Sequence, residues 1–116
     1  DRTHFVHLRS CYIFPNGNFT EASHLGGRGH LIELCRIFEK AEQEGKCNSG
    51  RRLPMRVDHG MTFTDEPGGV FDESNHGHNA GYTLLGRMFA MGQIQGVIAT
   101  VDDELGIEYK QPGFYD

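Results

Sequence analysis

The stretch at residues 53–60 has the sequence Leu53-Pro54-Met55-Arg56-Val57-Asp58-His59-Gly60. In an extended strand, Leu53, Met55 and Val57 lie on one face, whereas Arg56 and Asp58 lie on the other. A strand with an apolar face, a charged face and Asp-His-Gly at its end suits a barrel, in which the outer face meets helices. The inner face then leads to a site at the C-terminal end of the strand.

The composition allows one modest domain and argues against a nucleic-acid binder. The chain has 116 residues, 37% of them hydrophobic and 16 of them glycine, so loops and tight turns should be abundant. Its net charge is −5 and it has no basic stripe, which disfavours nucleic acid as a partner. No apolar run approaches a membrane span. Cys11, Cys35 and Cys47 lack CxxC spacing and are expected to be free thiols in the reducing cytoplasm.

A second strand is predicted at residues 3–9, with the sequence Thr-His-Phe-Val-His-Leu-Arg. Val6 and Leu8 share the face that packs against helices. His7 and Arg9 therefore point the same way as the charged face of the other strand. A histidine in such a position can also be simply exposed or hydrogen-bonded, and the pattern alone leaves that alternative open.

One apolar stripe predicts a helix at residues 30–44. Its members recur at spacings of three and four and are Leu31, Leu34, Cys35, Phe38 and Ala41. Glu39 and Glu42 lie mainly off this stripe, and Cys35 lies on it as core filling rather than as a nucleophile. The preceding residues 10–29 contain Pro, Asn and Gly clusters and are predicted to form a loop.

The second half of the chain repeats the order strand, loop, helix. Residues 61–79 form a long irregular segment after the strand, where an active-site loop belongs. His76 and His78 could bind a metal there, but their small polar neighbours disfavour it. A wide apolar stripe predicts a helix at 80–101, and the polar residues 102–116 are predicted to be a C-terminal surface tail.

The strand–helix–strand–helix order predicts parallel α/β architecture. Two such units cannot close an eight-stranded barrel, and a two-stranded parallel sheet leaves both edges open. Residues 1–101 are therefore either a small open α/β domain that oligomerises or the last part of a larger barrel. Because the chain begins with Asp1 almost directly before a strand, we expect its natural beginning to be missing.

The same order contains segments that match one enzyme family in sequence. They are Asp1-Arg2-Thr3-His4-Phe5-Val6-His7-Leu8-Arg9, Phe19-x-Glu21-Ala22-x-His24-Leu25, Leu53-Pro54-Met55-Arg56-x-Asp58-His59-Gly60, Gly81-Tyr82-Thr83-Leu84-Leu85-Gly86-Arg87 and Gln95-Gly96-Val97. The sequence of these segments resembles that of the mannonate dehydratases, which are sugar-acid lyases with a xylose-isomerase-like barrel. The resemblance implies the C-terminal portion of a (β/α)8 TIM barrel, namely its last two βα units and a long lid loop, incomplete on its own.

The resemblance also implies a divalent cation, Mn²⁺ or Fe²⁺, held by His, Cys, His and Asp side chains at the ends of successive strands. His7 and Asp58 match two of those ligands, which agrees with the inward orientation predicted for both. The other His and the Cys would lie in the part of the barrel that this sequence lacks. A mixed ligand set of this kind suits either metal without deciding between them.

The reaction implied by the resemblance is loss of water from D-mannonate to give 2-keto-3-deoxy-D-gluconate, a step of hexuronate catabolism. The C2 proton beside a carboxylate is not acidic, so its removal needs charge stabilisation by a metal. A base must take that proton and an acid must protonate the departing 3-hydroxyl. His59 and Tyr82 match the family's acid–base candidates and are assigned jointly. Arg9 is hypothesised to contact the substrate carboxylate or a hydroxyl.

Several positions depart from the family pattern and put the identity of the substrate in doubt. The family usually has His at the positions of Thr20 and Met61, acidic residues at those of Arg28 and His30, and Pro at that of Ala80. A dehydratase or isomerase that acts on a related sugar acid is therefore an alternative.

The chain by itself is also compatible with a non-catalytic fragment or an assembly subunit, because two ligands of four hold an ion poorly. We expect no dehydratase activity from the isolated chain. It should require the remainder of the barrel and form a homo-oligomer, without nucleic acid or a membrane as a partner. A regulatory sugar-binding module is disfavoured, since Asp58, His59 and Tyr82 would then have no chemical role.

Overall fold

The computed structural model describes residues 3–46, 52–61 and 84–108. Within these ranges the elements, in chain order, are β1 (Val6–Leu8), β2 (Cys11–Ile13), β3 (Phe19–Glu21), α1 (Leu31–Gln43), β4 (Met55–Val57) and α2 (Leu84–Leu105). β1 and β4 pair in parallel, whereas β2 and β3 form an antiparallel hairpin. The structure is a mixed α/β arrangement in which both helices cover one face of the β1–β4 pair.

The parallel pair confirms the predicted α/β order. Its register sets His7 opposite Arg56 and Leu8 opposite Val57. Leu8 and Val57 are buried, whereas His7 and Arg56 are exposed on the other face, as strand alternation requires. The apolar face read from the sequence is therefore the face that the helices cover.

The core lies between this apolar face and the two helices. Its buried members are Leu8, Leu31, Cys35, Val57, Ala90, Ile94, Val97 and Val101. Cys11 and Cys35 are free thiols, and Cys35 is core filling, as predicted. Burial, together with the nearby Glu39 charge, raises the pKa of the Cys35 thiol to about 11. Such a thiol stays protonated near neutral pH and is a poor nucleophile.

The prediction that Glu39 and Glu42 lie off the buried face of α1 is wrong, because both side chains are buried. The reason is Arg52, whose guanidinium lies 2.5 Å from Glu39 Oε2 and 2.6 Å from Asp102 Oδ2. Glu42 accepts a hydrogen bond from the backbone N–H of Leu53. Buried carboxylates are tolerated when they are paired in this way. The cluster ties both helices to the N-terminal end of β4.

Residues 10–29 were predicted to form a loop, but they contain the β2–β3 hairpin, so that prediction is wrong. The turn of the hairpin is closed by the Phe14 N–H, which donates to the Asn18 carbonyl at 2.7 Å. Gly17 supplies the left-handed backbone of the turn, with φ of 87°. The strands are three residues long and expose several large apolar side chains. The sequence therefore has no alternating apolar face from which the hairpin could be predicted.

Helix α2 continues past the predicted end of the helix 80–101, to Leu105. Asp102 is fully buried, so the first residues of the predicted surface tail belong to the helix. The predicted first turn, residues 80–83, and the tail residues 109–116 lie outside the described ranges.

The length and composition of α2 would allow it to cross a membrane, contrary to the expectation from the sequence. A buried core helix meets the same criterion. Here Ala90, Ile94 and Val97 of α2 pack into the core, which accounts for the apolar composition on that face.

Candidate active site at the C-terminal ends of the parallel strands

Polar residues follow both parallel strands at the same end. Arg9 comes directly after β1, and Asp58 and His59 come directly after β4. The Asp58 N–H donates to the Leu8 carbonyl at 3.0 Å, which extends the strand pairing by one residue. The main chain thereby fixes the point at which Asp58 leaves the sheet. In parallel α/β barrels this is the end that carries the chemistry.

His7 and Asp58 lie side by side at this end. His7 Nδ1 is 3.7 Å from Asp58 Oδ1, and the two side chains are 47% and 26% exposed. The ring of Phe5 packs in a T-shaped arrangement on the His7 imidazole, with 4.9 Å between the centroids. The structure thus brings together two side chains that the sequence predicts on one side of the sheet, and both stay accessible to a ligand.

His59 lies between two carboxylates. Its Nε2 is 3.8 Å from Asp58 Oδ2, and its Nδ1 is 3.5 Å from Glu21 Oε1. The His59 side chain is 18% exposed. Each ring nitrogen therefore faces a carboxylate oxygen at ion-pair distance.

Gly60 holds this segment against helix α2. A Cβ atom at Gly60 would lie 2.6 Å from the backbone carbonyl carbon of Gly86, a distance that real side chains do not adopt. Only glycine therefore allows this approach of the two backbones. The contact fixes the position of the neighbouring His59 relative to the first turns of α2.

Glu21, the last residue of β3, is a site residue that the sequence reasoning missed. Arg9 Nε donates to Glu21 Oε1 and Oε2 at 3.0 and 3.2 Å, and Arg9 Nη2 also donates to Oε1. This hydrogen bonding raises the pKa of Arg9. The guanidinium carbon lies 5.4 Å from the centroid of the Phe19 ring, a cation–π distance. The sequence offered one indication of such a residue: Arg9 was predicted to face inward, and no acidic partner had been assigned to it.

His24 supports the end of β1 from the buried side. Its Nε2 lies 2.9 Å from the Leu8 carbonyl oxygen, and its backbone N–H donates to Gln93 Oε1 at 2.9 Å. The Nδ1 atom is buried and has no hydrogen-bond partner within the described ranges. Because a carbonyl oxygen can only accept, Nε2 is the donor in the hydrogen bond to Leu8.

Two predicted parts of the site lie outside the described ranges: Tyr82, and the lid segment with His76 and His78. Cys47, which was predicted to be a free thiol, lies outside them as well. The partnership of Tyr82 with His59 therefore stays a prediction.

The donors at this end of the sheet fit part of a divalent-metal site. His7 Nδ1 and Asp58 Oδ1 offer one nitrogen and one oxygen, a combination that suits Mn²⁺ or Fe²⁺. Within residues 3–46, 52–61 and 84–108, no group of three or more His, Cys, Asp or Glu side chains could hold an ion. An ion bound by His7 and Asp58 would therefore need further ligands.

Comparison with known proteins gives a consistent relationship. The family model described as D-mannonate dehydratase (UxuA) matches residues 1–108. Mannonate dehydratase 2 of Agrobacterium fabrum is 33% identical over 106 residues, which cover 90% of this chain and 25% of that protein. Mannonate dehydratase of Saccharophagus degradans is 32% identical over 104 residues, covering 88% of this chain and 25% of that protein. Mannonate dehydratase of Brucella canis is 30% identical over 102 residues, which cover 87% of this chain and 23% of that protein.

This chain therefore spans about a quarter of the length of the curated relatives that it matches. The match extends over all the strands and helices described above, including the residues of the candidate site. The chain belongs to the D-mannonate dehydratase (UxuA) family, and it corresponds to a portion of the family's longer members.

Proposed function

We propose that this chain contributes one part of the active site of a metal-dependent hydro-lyase that converts D-mannonate into 2-keto-3-deoxy-D-gluconate. The observation that carries the proposal is the meeting of His7, Asp58 and His59 at the C-terminal ends of two parallel strands. Family membership supports the reaction class, and the curated relatives carry the name mannonate dehydratase.

In this proposal His7 and Asp58 hold a divalent cation, Mn²⁺ or Fe²⁺, together with ligands from outside this chain. When bound, the cation supplies Lewis-acid stabilisation of the negative charge that develops on the substrate. His59 moves a proton at one of its ring nitrogens, and Tyr82 is its acid–base partner. The removal of the C2 proton and the protonation of the 3-hydroxyl are divided between these two residues.

Arg9 is proposed to contact the substrate with the part of its guanidinium that Glu21 does not use. The hydrogen bonds to Glu21 engage Nε and Nη2. In this proposal, Nη1 is the group that donates to a carboxylate or hydroxyl of a sugar acid. An arginine held in this way presents a fixed donor, which reduces the entropy lost on binding.

The partner that completes the site is proposed to be the remainder of a (β/α)8 barrel, of which this chain forms the C-terminal βα units. A complete barrel of this type needs about 250 residues. The helices also expose large apolar side chains that neighbouring barrel elements would cover: Ile32, Leu34 and Ile37 on α1, and Leu84, Leu85, Met88, Phe89 and Met91 on α2. We further propose a homo-oligomer in the cytoplasm, where the free thiols Cys11 and Cys35 are stable.

A second candidate function is that of a subunit without activity of its own. The incompleteness of the metal site favours this candidate. The described ranges contain no group of three or more ligating side chains that could hold an ion. The two candidates agree on one outcome, which is that the isolated chain does not turn over D-mannonate.

The experiment combines this chain with a second polypeptide, the part of Agrobacterium fabrum Mannonate dehydratase 2 that this chain does not cover. We refer to the purified pair as the reconstituted complex. With Mn²⁺ and D-mannonate, the complex should form the 2-keto acid, detected by mass spectrometry, and each polypeptide alone should form none. His59→Ala should lower kcat by about 100- to 10,000-fold, whereas His30→Ala, at an exposed position, should leave it unchanged. A stable complex that turns over no sugar acid would contradict the dehydratase proposal and would support the second candidate, a subunit without activity.

A further inference from the structure

The loop that follows the β2–β3 hairpin carries His24 to the buried side of the end of β1. Hydrogen bonds tie this loop to the main chain on both sides of His24. The Ala22 N–H donates to the Ser10 carbonyl at 3.0 Å, and the Arg28 N–H donates to the Cys11 carbonyl at 3.0 Å. The His24 side chain is fully buried between these two anchors. Anchoring and burial together hold its ring in one place.

Helix α2 and strand β1 are connected through His24. The His24 backbone N–H donates to Gln93 Oε1 of α2 at 2.9 Å. Its ring Nε2 donates to the carbonyl oxygen of Leu8, the last residue of β1, at 2.9 Å. The main chain of His24 is therefore held by the helix, while its side chain holds the strand end.

The Leu8 carbonyl is the main-chain group that joins the two strand ends with the proposed metal ligands. His7 immediately precedes Leu8 in β1, and the Asp58 N–H donates to the Leu8 carbonyl at 3.0 Å. This hydrogen bond lies one residue beyond the end of β4, and the ends of elements open more readily than their centres. The distance of 3.7 Å between His7 Nδ1 and Asp58 Oδ1 therefore depends on how firmly this carbonyl is held.

The hydrogen bond from His24 holds the carbonyl from the interior. A carbonyl oxygen has two lone pairs, so it can accept from the His24 ring and from the Asp58 N–H at the same time. The bond to the ring is buried, where the low dielectric strengthens it. It keeps the Leu8 carbonyl oriented so that the Asp58 N–H meets the other lone pair.

We propose that His24 is a positioning residue for the metal site, which holds the Leu8 carbonyl and thereby fixes Asp58 relative to His7. Gln93 connects this support to α2. Residues that orient metal ligands from outside the ligand set change metal affinity by about 10- to 100-fold when they are replaced. The effect on metal binding rests on the proposed function; the support of the Asp58 main chain does not.

The first measurement is hydrogen exchange of the Asp58 amide, followed by NMR in the reconstituted complex with only this chain labelled with ¹⁵N. His24→Ala should speed this exchange by about 10-fold, because the carbonyl that accepts from the amide loses its second donor. His24→Gln should keep the exchange close to that of the wild type. The side-chain amide of glutamine also donates, from nearly the same distance along the side chain as the histidine Nε2.

The second measurement is the Mn²⁺ affinity of the same complexes, from electron paramagnetic resonance of the free ion. His24→Ala should weaken binding by about 10-fold, and His24→Gln should restore it. The matched control is Leu53→Ala, which opens a cavity just before β4, at the opposite end of that strand from Asp58. It should lower stability but leave the Asp58 exchange and the Mn²⁺ affinity unchanged. Gln93→Ala should act like His24→Ala by a smaller factor, and it serves as the test if His24→Ala does not assemble.

Unchanged Asp58 exchange in His24→Ala would overturn the proposal, and so would equal effects of Leu53→Ala. Faster exchange without any loss of Mn²⁺ affinity would also overturn it, in a complex whose affinity falls on Asp58→Asn. Faster exchange in a complex whose Mn²⁺ affinity depends on neither His7 nor Asp58 would instead refute the proposed metal site. The support of the Asp58 main chain by His24 would then still hold.

Discussion

His24 and Asp58 are joined through a single oxygen atom, the carbonyl of Leu8. The Asp58 N–H donates to it at 3.0 Å, and the buried His24 Nε2 lies 2.9 Å from it. The second lone pair of a strand-end carbonyl, which usually faces water, is here occupied by a buried ring. The position of Asp58 at the candidate site therefore depends on a residue from the interior.

Replacement of His24 tests this dependence. His24→Ala removes the hydrogen bond to Leu8 and leaves a cavity, so the free energy of unfolding should fall by about 2–5 kcal/mol. Urea unfolding of the reconstituted complex, followed by circular dichroism, measures the change. His30→Ala, at an exposed position, should stay within about 0.5 kcal/mol of the wild type. Equal effects of the two replacements would remove His24 from the support of the strand end.

Gly60 and Gly92 form a matched pair of glycine replacements. A Cβ at Gly60 would lie 2.6 Å from the Gly86 carbonyl carbon, whereas a Cβ at Gly92 meets nothing within 4 Å. Gly60→Ala should therefore destabilise the fold by about 1–3 kcal/mol through overpacking. Gly92→Ala should stabilise it by about 0.5–1 kcal/mol, since alanine is the better helix former. Thermal unfolding measures both, and shifts of the same sign would contradict the close approach.

Arg52 should contribute far more to stability than Arg36. Arg52 faces the buried Glu39 and Asp102, so Arg52→Met leaves buried charge uncompensated and should cost about 3–5 kcal/mol. Arg36 forms an exposed pair with Glu104, and Arg36→Met should change the free energy of unfolding little, because water screens such a pair. Denaturant unfolding compares the two variants. An Arg52 variant as stable as the Arg36 variant would show that the buried cluster is not held by that guanidinium.

The same cluster predicts a dependence of stability on pH. Burial, reinforced by the charges of Glu42 and Asp102 and opposed by Arg52, raises the pKa of Glu39 to about 7 from its ordinary value of 4.5. The folded chain therefore binds more protons than the unfolded chain between these two values. The free energy of unfolding should fall as the pH rises through this window, by up to about 1.4 kcal/mol per pH unit. Burial raises the pKa of Glu42 as well, which acts in the same direction.

Glu39→Gln isolates the contribution of this carboxyl group. The variant should lose most of the fall in stability between about pH 4.5 and 7, because a glutamine does not titrate. Glu33→Gln, which changes an exposed carboxylate of the same helix, should keep the wild-type profile. A Glu39 variant with an unchanged pH profile would mean that another group is responsible.

The sequence predicts those parts of the fold that follow from periodicity. Alternation in the two parallel strands predicted the buried faces of Leu8 and Val57 and the common side of His7 and Asp58, all of which the structure shows. The burial of Glu39 was not predictable in the same way. It depends on Arg52, which lies on a separate segment, and a helical pattern contains no information about such a partner.

The candidate site was predictable to a similar extent. Asp58 and His59 directly follow β4, and His7 lies one residue before the end of β1, positions that sequence reasoning can recognise. Glu21 was missed because it reaches the site on a hairpin whose short strands lack an alternating apolar face. Its position depends on a turn at Gly17, and the composition of that turn is equally typical of a loop.

The most direct test of the central claim is Mn²⁺ binding to the reconstituted complex, followed by electron paramagnetic resonance of the free ion. His7 and Asp58 are proposed ligands, so His7→Ala and Asp58→Asn should each weaken binding by at least about 10-fold. His4→Ala and Asp103→Asn, at exposed positions with the same residue types, should leave it unchanged. Wild-type affinity in the His7 and Asp58 variants, in a complex that binds Mn²⁺ tightly, would contradict the metal site and the mechanism that depends on it.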